Sequence, residues 1–388
     1  MLDSKNSIGW GYLPDEILIQ IFTFLPIKSI IICTSVSKTW KSLIQNPTFI
    51  STHLRHSHNK NQNLFLLSVS RNDKQVYTLH KEDDDDPDFI EYTSFDSPFH
   101  APHLQFPYQR TYYTCGTFNG LVCVSYGLRN RTEVIFLWNP CVRKFLQLPS
   151  PDVTVDTHGA SCTSFGFGFD PKTNDYKVVR ILSMLGPLYF VKSRPVVDVY
   201  SLSTGEWRIL SASASLPLIC AVTSCWPPAF ANGALHWIAV TNDKQFVLVF
   251  DLRDEVFRQI LLPELPGKMM WTRLSVYGNS IAGFEITRGI DQMTQINIWV
   301  MKEYGVASSW TPIFTADFAF GEATLRPIGF RRNGDAVFVF GEGKLVSWNP
   351  ESKEFKDFRM ISDHDPFIDS YIESLVLLDK AANVAVTY

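Results

Sequence analysis

An internal repeat of about fifty residues constrains the fold of this chain more than any other feature of its sequence. Five short apolar runs end in an aromatic residue at positions 138, 200, 250, 299 and 348, so the steps between them are 62, 50, 49 and 49 residues. Behind four of these anchors a second aromatic residue follows after seven residues, at Phe145, Trp207, Phe257 and Phe355. Turn residues lie between the two aromatics. Each repeat therefore predicts a strand, a tight turn and another strand.

A second turn signal lies upstream of most anchors. These signals are Asn119-Gly120, Asn232-Gly233, Gly278-Asn279 and Asn333-Gly334, and an apolar run follows each of them. In the repeat that ends at Tyr200, the segment 165–179 takes the same place. Four strands in a period near fifty residues are typical of a blade of a kelch-like β-propeller. Five blades are predicted between about residues 116 and 360.

The two ends of the β region complement each other. Residues 65–79 contain the apolar runs FLLSV and QVYTL, and residues 371–378 contain one more, YIESLVLL. A propeller needs closure to remove its sheet edges, so we expect a sixth blade built from both ends of the region. Because blades stack face to face, we interpret the ten tryptophans as packing between blades.

Residues 13–50 have a helical pattern instead. The apolar residues of the first predicted helix recur at helical spacing, at Leu13, Ile17, Leu18, Ile21, Phe22 and Leu25, and Pro14 is expected at its first position. Pro26 ends this helix, a second runs from about Ile27 to Ser35, Ser37 caps a third, and Asn46 caps a fourth. So short a segment cannot bury all of its apolar surface, and we predict that it docks on another protein.

The same residues resemble the plant form of a known family, the F-box. The resemblance is carried by Leu13-Pro14, Ile17-Leu18, Leu25-Pro26-Ile27-Lys28-Ser29, Val36-Ser37-Lys38 and Trp40. It implies docking onto the Skp-type adaptor of a cullin-RING ubiquitin ligase. The implied contact residues are Leu13, Pro14, Ile17, Leu18, Ile21, Leu25, Pro26, Val36, Lys38 and Trp40. One departure is the second helix, where residues 30–35 read IIICTS and relatives commonly carry an arginine or other polar residues.

The β region also resembles a family. The segments LWNPCVRKFLQLP, FGFGFDPKTNDYKVVRI and YIESLVLL are similar to the F-box-associated region of plant F-box/kelch proteins. The fold class that we expect is therefore α+β and multidomain. A helical F-box domain covers residues 1–55, and a six-bladed all-β propeller, closed by its N- and C-terminal strands, covers residues 56–388.

Composition excludes several classes of partner. A net charge of −4 and a pI near 6.1 provide no basic field for nucleic acid and no polybasic patch for a membrane. No apolar run of about eighteen residues and no signal-peptide core is present, so we expect the protein in the cytoplasm or the nucleus. The seven cysteines are odd in number and scattered, which predicts reduced, buried thiols.

Three segments invite a chemical interpretation. His53, His56 and His58 are spaced by three and two residues, so on a helix only the first two share a face, and we interpret them as a polar helix end without metal. The acidic run 82–88 is expected to form a solvated loop, with a weak calcium site as the alternative. The glycines of GFGFD at 166–170 fall within a strand register and do not predict a phosphate site. We expect no catalytic group, no metal and no cofactor.

Two classes of function remain. In the first, the chain is the substrate-recognition subunit of a ubiquitin ligase, and other subunits perform catalysis. In the alternative it is a free-standing propeller scaffold or a kelch-fold enzyme, and a pull-down of the adaptor with its cullin and RING partners distinguishes the two. A target protein is expected on the longer loops, at 97–113, 149–163, 182–195 and 211–230, with Tyr108, Arg110, Tyr112 and Trp226 as candidate contacts.

Overall fold

The computed structural model describes most of the chain between residues 13 and 387. Within those bounds it leaves out residues 61–63, 72–73, 82–88, 100–109, 129–130, 154–160, 185–193, 211–215, 217–220, 223–226, 242–243, 264–268, 289–292, 320–324, 365 and 381–385. The acidic run at 82–88 therefore lies outside the described residues.

Four helices form the N-terminal domain, as predicted. They are α1 (Asp15–Phe24), α2 (Ile27–Cys33), α3 (Lys38–Ile44) and α4 (Pro47–Lys60). The two predicted caps are confirmed, because the Ser37 hydroxyl accepts the Trp40 N–H at 3.1 Å and Asn46 Oδ1 accepts the Thr48 N–H at 2.8 Å. Pro14 was expected inside the first turn. Its extended backbone, with ψ at 146°, places it at the N-cap instead.

The described residues of the β region form six antiparallel sheets, which we number as blades 1 to 6. From the inside outward, blade 1 consists of β25 (Phe367–Tyr371), β1 (Leu64–Arg71), β2 (Lys74–Lys81) and β3 (Ile90–Asp96). Blade 2 consists of β4 (Arg110–Phe118), β5 (Leu121–Leu128), β6 (Arg131–Asn139) and β7 (Lys144–Gln147), with β26 (Val386–Thr387) added at the outer edge. Blade 3 consists of β8 (Ser161–Asp170), β9 (Asp175–Met184), β10 (Val196–Ser201) and β11 (Glu206–Ile209).

The remaining three blades have the same order. In blade 4, β12 (Ala221–Val222) and β13 (Ala229–Ala231) both pair with β14 (Ala234–Thr241), which β15 (Lys244–Asp251) and β16 (Val256–Leu261) follow. Blade 5 consists of β17 (Met269–Tyr277), β18 (Ser280–Arg288), β19 (Met293–Met301) and β20 (Trp310–Ala319). Blade 6 consists of β21 (Leu325–Phe330), β22 (Ala336–Phe340), β23 (Lys344–Trp348) and β24 (Phe355–Ile361).

The ring closes through a strand from each end of the β region. The inner strands contact one another in the order β25, β4, β8, β13, β17 and β21, and β21 returns to β25. β25 pairs with β1 from Leu64↔Tyr371 to Ser68↔Phe367. The predicted six-bladed, closed propeller is confirmed. The predicted position of its last strand at 371–378 is wrong, because β25 ends at Tyr371 and residues 372–380 contain no strand.

The aromatic repeat has a simple structural cause. In blades 2, 3, 4 and 6 the anchor and the aromatic seven residues later are directly paired across the outer two strands, as Trp138↔Phe145, Tyr200↔Trp207, Phe250↔Phe257 and Trp348↔Phe355. In blade 5 a short 3₁₀ helix at Ala307–Ser309 lengthens the turn, and Trp310 pairs with Met301 instead. The seven-residue spacing is therefore the length of one hairpin turn.

The GFGFD segment lies in β8, as the strand register predicted. Gly166 is required by a close approach of the next blade, since a Cβ there would lie 2.7 Å from the Trp237 ring. These glycines therefore serve blade packing.

The two faces of the ring can be distinguished by contacts between neighbouring turns. Hydrogen bonds connect Tyr371 Oη to Gly120 O (3.1 Å), Asn119 Nδ2 to Tyr176 Oη (3.3 Å), Lys177 Nζ to Leu252 O (2.8 Å) and Asn232 Nδ2 to Asn279 O (2.9 Å). The turns between first and second strands therefore share one face, which we call the helix-side face because α4 ends beside it. The opposite face, the far face, carries the connections from blade to blade.

Candidate functional site

Helix α1 has an inner face that completes the core of the helical domain. Leu18 and Phe22 are buried, and the Phe22 ring lies 5.1 Å from that of Trp40 and 6.3 Å from that of Phe49. Ile30 and Ile44, from α2 and α3, are fully buried in the same cluster. The helical domain thus has a packed interior that does not need the outer face of α1.

The outer face of α1 presents an apolar row to solvent. Ile17 and Ile21 are 40 and 42% exposed and lie one turn apart on one side of the helix, and Leu13, which is 36% exposed, precedes the N-cap Pro14. We call these three residues the α1 row. Exposed apolar residues at successive turns of a short helix and just before its start are characteristic of a surface that binds another protein.

The other predicted adaptor contacts divide by exposure. Pro14, Pro26, Val36 and Lys38 are exposed, Leu25 and Trp40 are partly buried, and Leu18 belongs to the core. The apolar second helix adds Ile32, which is 61% exposed, to the apolar surface of the domain. Sequence reasoning noted the unusual apolar run at 30–32 without assigning Ile32 to a surface.

The three histidines of α4 do not form a polar helix end, which corrects the sequence interpretation. His53 is buried, and burial, with smaller effects of His56 and Lys60, lowers its pKa to about 4. His58 reaches the propeller, where its Nε2 lies 2.9 Å from Asn119 Oδ1. The helix therefore packs with its histidines toward the protein and continues past residue 55 to Lys60.

The candidate substrate contacts are described only in part. Tyr108 and Trp226 lie outside the described residues, and Arg110 is the first residue of β4. Tyr112 packs between the rings of Phe99 and Tyr126, with centroids 5.7 and 4.7 Å away, and burial raises the pKa of its hydroxyl. Its ring belongs to the packing between blades 1 and 2.

All four long loops begin at the far face. The strands before them, β3, β7, β9 and β11, end there at residues 96, 147, 184 and 209. The first three loops lead to β4, β8 and β10, which also begin at this face. The fourth leads into the inner strand of blade 4, which is divided into β12 and β13. The strand ends that flank the longest connections of the ring therefore lie opposite the helical domain.

Several buried charged groups inside the ring form ion pairs. Lys177 Nζ donates to Asp170 Oδ2 at 2.7 Å, to Leu252 O at 2.8 Å and to Glu255 Oε1 at 3.0 Å, which joins blade 3 to blade 4. Arg180 and Asp198 form a second buried ion pair within blade 3. All three protons of the ammonium group have acceptors, so this cluster holds two blades together.

The described residues contain neither a cluster suited to a metal ion nor a membrane-spanning helix. No three His, Cys, Asp or Glu side chains there come close enough together to hold a metal ion. No described helix is long and apolar enough to cross a membrane.

Comparison with known proteins identifies a matching family for each of the two domains. The family model for the F-box associated beta propeller domain matches residues 63–360, and that for the F-box domain matches residues 10–52. F-box protein CPR1 of Arabidopsis thaliana is 26% identical over 379 residues, covering 90% of this chain and 84% of that protein. F-box/kelch-repeat protein At3g23880 of the same plant is 25% identical over 315 residues, covering 78% and 79%.

Among solved structures, TolB from Acinetobacter baumannii aligns over 84% of this chain and 72% of that chain, with a TM-score of 0.48 and 9% identity. A likeness at this level adds nothing to the fold described above. The two family models do support the described fold, because together they cover both the helical domain and the ring. The chain therefore belongs to the F-box-associated β-propeller family and carries an F-box domain before its propeller.

Proposed function

We propose that this chain is the substrate-recognition subunit of an SCF-type cullin-RING ubiquitin ligase. The F-box docks onto the Skp-type adaptor, and through it onto the cullin and RING subunits, while the propeller holds a target protein. The observation that supports this most directly is the α1 row, an exposed apolar surface on a helix whose inner face is already fully packed. The chain itself supplies no catalytic group in this proposal.

The α1 row should supply most of the affinity for the adaptor. Replacing Ile17 and Ile21 together with alanine is expected to weaken adaptor binding by about 100-fold or more, since central apolar anchors typically cost ~2 kcal/mol each on truncation. The fold should be unaffected, because both side chains are at least 40% exposed. Binding of purified adaptor, measured by calorimetry, tests this expectation.

A matched control comes from the outer strand of blade 4. Val256 and Leu261 are 42 and 66% exposed, so their double alanine variant removes a similar exposed apolar area from the propeller. We expect wild-type adaptor affinity for this control. Equal affinities of the two double variants would contradict the proposed role of the α1 row.

We further propose that the target protein binds on the far face. The support is the position of the four long loops, which begin opposite the F-box, where a target would not compete with the adaptor for space. A rigid ring with variable loops on one face is a common arrangement for recognition.

Site-specific photo-crosslinking can distinguish the two faces. A photoreactive residue in place of Lys244, an exposed residue at the far-face end of β15, should capture a protein that also accumulates in cells when residues 13–50 are deleted. The same residue in place of Asp254, exposed on the helix-side face of the same blade, should not. Capture of such a protein from position 254 alone would show that the target binds on the helix-side face and would contradict this proposal.

A further inference from the structure

Residues 372–380 follow a path that sequence reasoning missed. We call them the tail segment. They leave the inner strand of blade 1 at Tyr371, pass the turn that connects β6 with β7, and lead to β26, which pairs with β7 on the outer edge of blade 2. The tail segment thus crosses blade 2 on the helix-side face, between the ring and the F-box.

The propeller holds the tail segment with two side chains of blade 2. Asn139 Nδ2 donates to the carbonyl oxygens of Ser374 at 3.0 Å and Val376 at 2.9 Å. Lys144 Nζ donates to the carbonyl oxygens of Leu378 at 3.1 Å and Lys380 at 2.8 Å. Four backbone carbonyls of an otherwise irregular segment are therefore satisfied by the ring.

The F-box holds the same segment from the other side. Gln45, which caps the end of α3, donates from Nε2 to the Leu378 carbonyl at 3.1 Å. Leu375, Val376, Leu377 and Leu378 are buried in one apolar cluster with F-box residues that include Leu18, Phe22 and Ile44 and with residues of blades 2 and 3. The tail segment is therefore shared core of both domains.

Two backbone features show how closely this segment is fitted. Leu377 is fully buried with a φ of 74°, a left-handed conformation that is unfavourable for a bulky residue and is retained only where surrounding contacts enforce it. Gly120, with a φ of 78°, lies directly beneath the segment, because a Cβ there would lie 2.4 Å from Ser374 Oγ and 2.7 Å from the Ile372 carbonyl oxygen. The ring has no room for a side chain at this position.

We propose that the tail segment is the joint that fixes the F-box to the propeller, and that Gly120, Asn139 and Lys144 are positioning residues for ubiquitin transfer. This inference rests on the proposed function, since it assigns to the joint the direction in which the far face points relative to a bound adaptor. His58 and Asn119 add a direct contact between the two domains beside the joint.

A fixed joint matters because the chain contributes geometry to the reaction. A tethered lysine meets the loaded conjugating enzyme at an effective concentration that depends on how narrowly the tether restricts its position. The chain passes from α4, which ends at Lys60, to β1, which begins at Leu64, and this is a covalent connection between the two domains. The tail segment provides a second, non-covalent connection, and two connections restrict rotation far more than one.

The test compares two Asn-Gly turns that have similar backbone conformations but different surroundings. Gly120 and Gly233 have φ values of 78 and 73°, so alanine causes a similar backbone strain at each, but a Cβ at Gly233 meets no atom within 4 Å. We expect the Gly120→Ala variant to displace the tail segment and the Gly233→Ala variant to leave it in place. Paramagnetic labels on unnatural residues at Arg55 of α4 and Lys244 of the far face report the distance between the two domains.

Wild type and Gly233→Ala should give one narrow distance distribution, and Gly120→Ala a broad one, while all three retain the circular dichroism of the folded propeller. A narrow distribution in folded Gly120→Ala, or a broad one in the wild type, would overturn the proposal. The measurement needs no adaptor, so a failure of adaptor docking and a failure of the joint are read from separate experiments.

A second variant keeps the proposal testable if Gly120→Ala does not fold. Lys144→Met removes two charge-assisted hydrogen bonds to the tail segment and leaves the apolar cluster intact. Amide hydrogen exchange in residues 374–380 should become about tenfold faster or more, and the distance distribution should broaden. Unchanged exchange and an unchanged distribution in this variant would contradict the role of the joint.

Discussion

Truncation of the chain after residue 366 should leave the protein insoluble. The truncated chain lacks β25, so β1 loses five paired residues and becomes an open edge inside the ring. Seven buried apolar side chains are lost with β25 and the tail segment, namely Phe367, Ile368, Tyr371, Leu375, Val376, Leu377 and Leu378. At ~2 kcal/mol for each buried side chain, the loss is about 14 kcal/mol, comparable to the whole stability of a typical protein. Soluble expression and the thermal melting temperature measure the outcome.

The matched control is truncation after Lys380. This variant keeps β25 and the tail segment and loses only β26, whose two residues pair with Phe145 and Lys144. We expect it to remain soluble, with a melting temperature lowered by less than about 4 °C. A soluble protein with an unchanged melting temperature after truncation at residue 366 would show that β25 does not close the ring.

The architecture could be predicted from the sequence because each blade repeats one local device. A hairpin turn of fixed length pairs two aromatic residues, so the spacing of Trp138 and Phe145 predicts the same structure as the spacing of Trp348 and Phe355. The helix caps at Ser37 and Asn46 are equally local, since each side chain bonds a backbone N–H two or three residues away. Such signals survive in a sequence without knowledge of the rest of the fold.

The end of the ring could not be placed in the same way. The run LVLL at 375–378 has the composition of a buried strand, and it is buried, but beneath the F-box and in an irregular conformation. The strand that does close the ring, FIDSY, is short and contains two polar residues, and β1 selects it by register. Burial is readable from composition, whereas the partner that causes the burial is a tertiary property.

The candidate site could likewise be predicted from the sequence only in part. Helical spacing identified the apolar residues of α1, but the division between the buried Leu18 and Phe22 and the exposed Ile17 and Ile21 depends on where α3 and α4 pack. The same limit applies to His53 and His58, whose burial and contact with Asn119 follow from the way α4 meets the ring. Helical spacing identifies the apolar residues of α1, whereas packing against α3 and α4 determines which of them face solvent.

Replacing Lys177 with methionine should destabilise the propeller by about 3–5 kcal/mol, the usual cost of removing one partner from a buried ion pair. The substitution keeps the length and apolar stem of the side chain but leaves Asp170, which is fully buried, without its cation. Glu255 is affected less because Arg208 also pairs with it. Urea unfolding at pH 7 measures the loss.

The comparison variant is Arg258→Met, which breaks an ion pair between Arg258 and Asp251. Because the arginine side chain is 61% exposed, this variant should cost at most about 1 kcal/mol.

The pH dependence of this loss identifies its origin. Burial acts to raise the pKa of Asp170, but hydrogen bonds from Lys177, Thr173 and the Lys172 N–H outweigh it and hold the pKa below its usual value. In the wild type, the Asp170 carboxylate therefore contributes stability above its unfolded pKa, and this contribution is lost only as the pH falls through the lower folded value. Without Lys177 the balance shifts toward burial, the folded pKa of Asp170 rises, and protonation removes the unpaired charge at mildly acidic pH.

The loss in free energy of unfolding caused by Lys177→Met, relative to wild type, should thus be smaller at pH 5 than at pH 7. In an Asp170→Asn background, the loss caused by Lys177→Met should not change over this range. A deficit that stays constant between pH 7 and pH 5 in the single variant would mean that lost packing, and not the unpaired Asp170 carboxylate, causes the destabilisation.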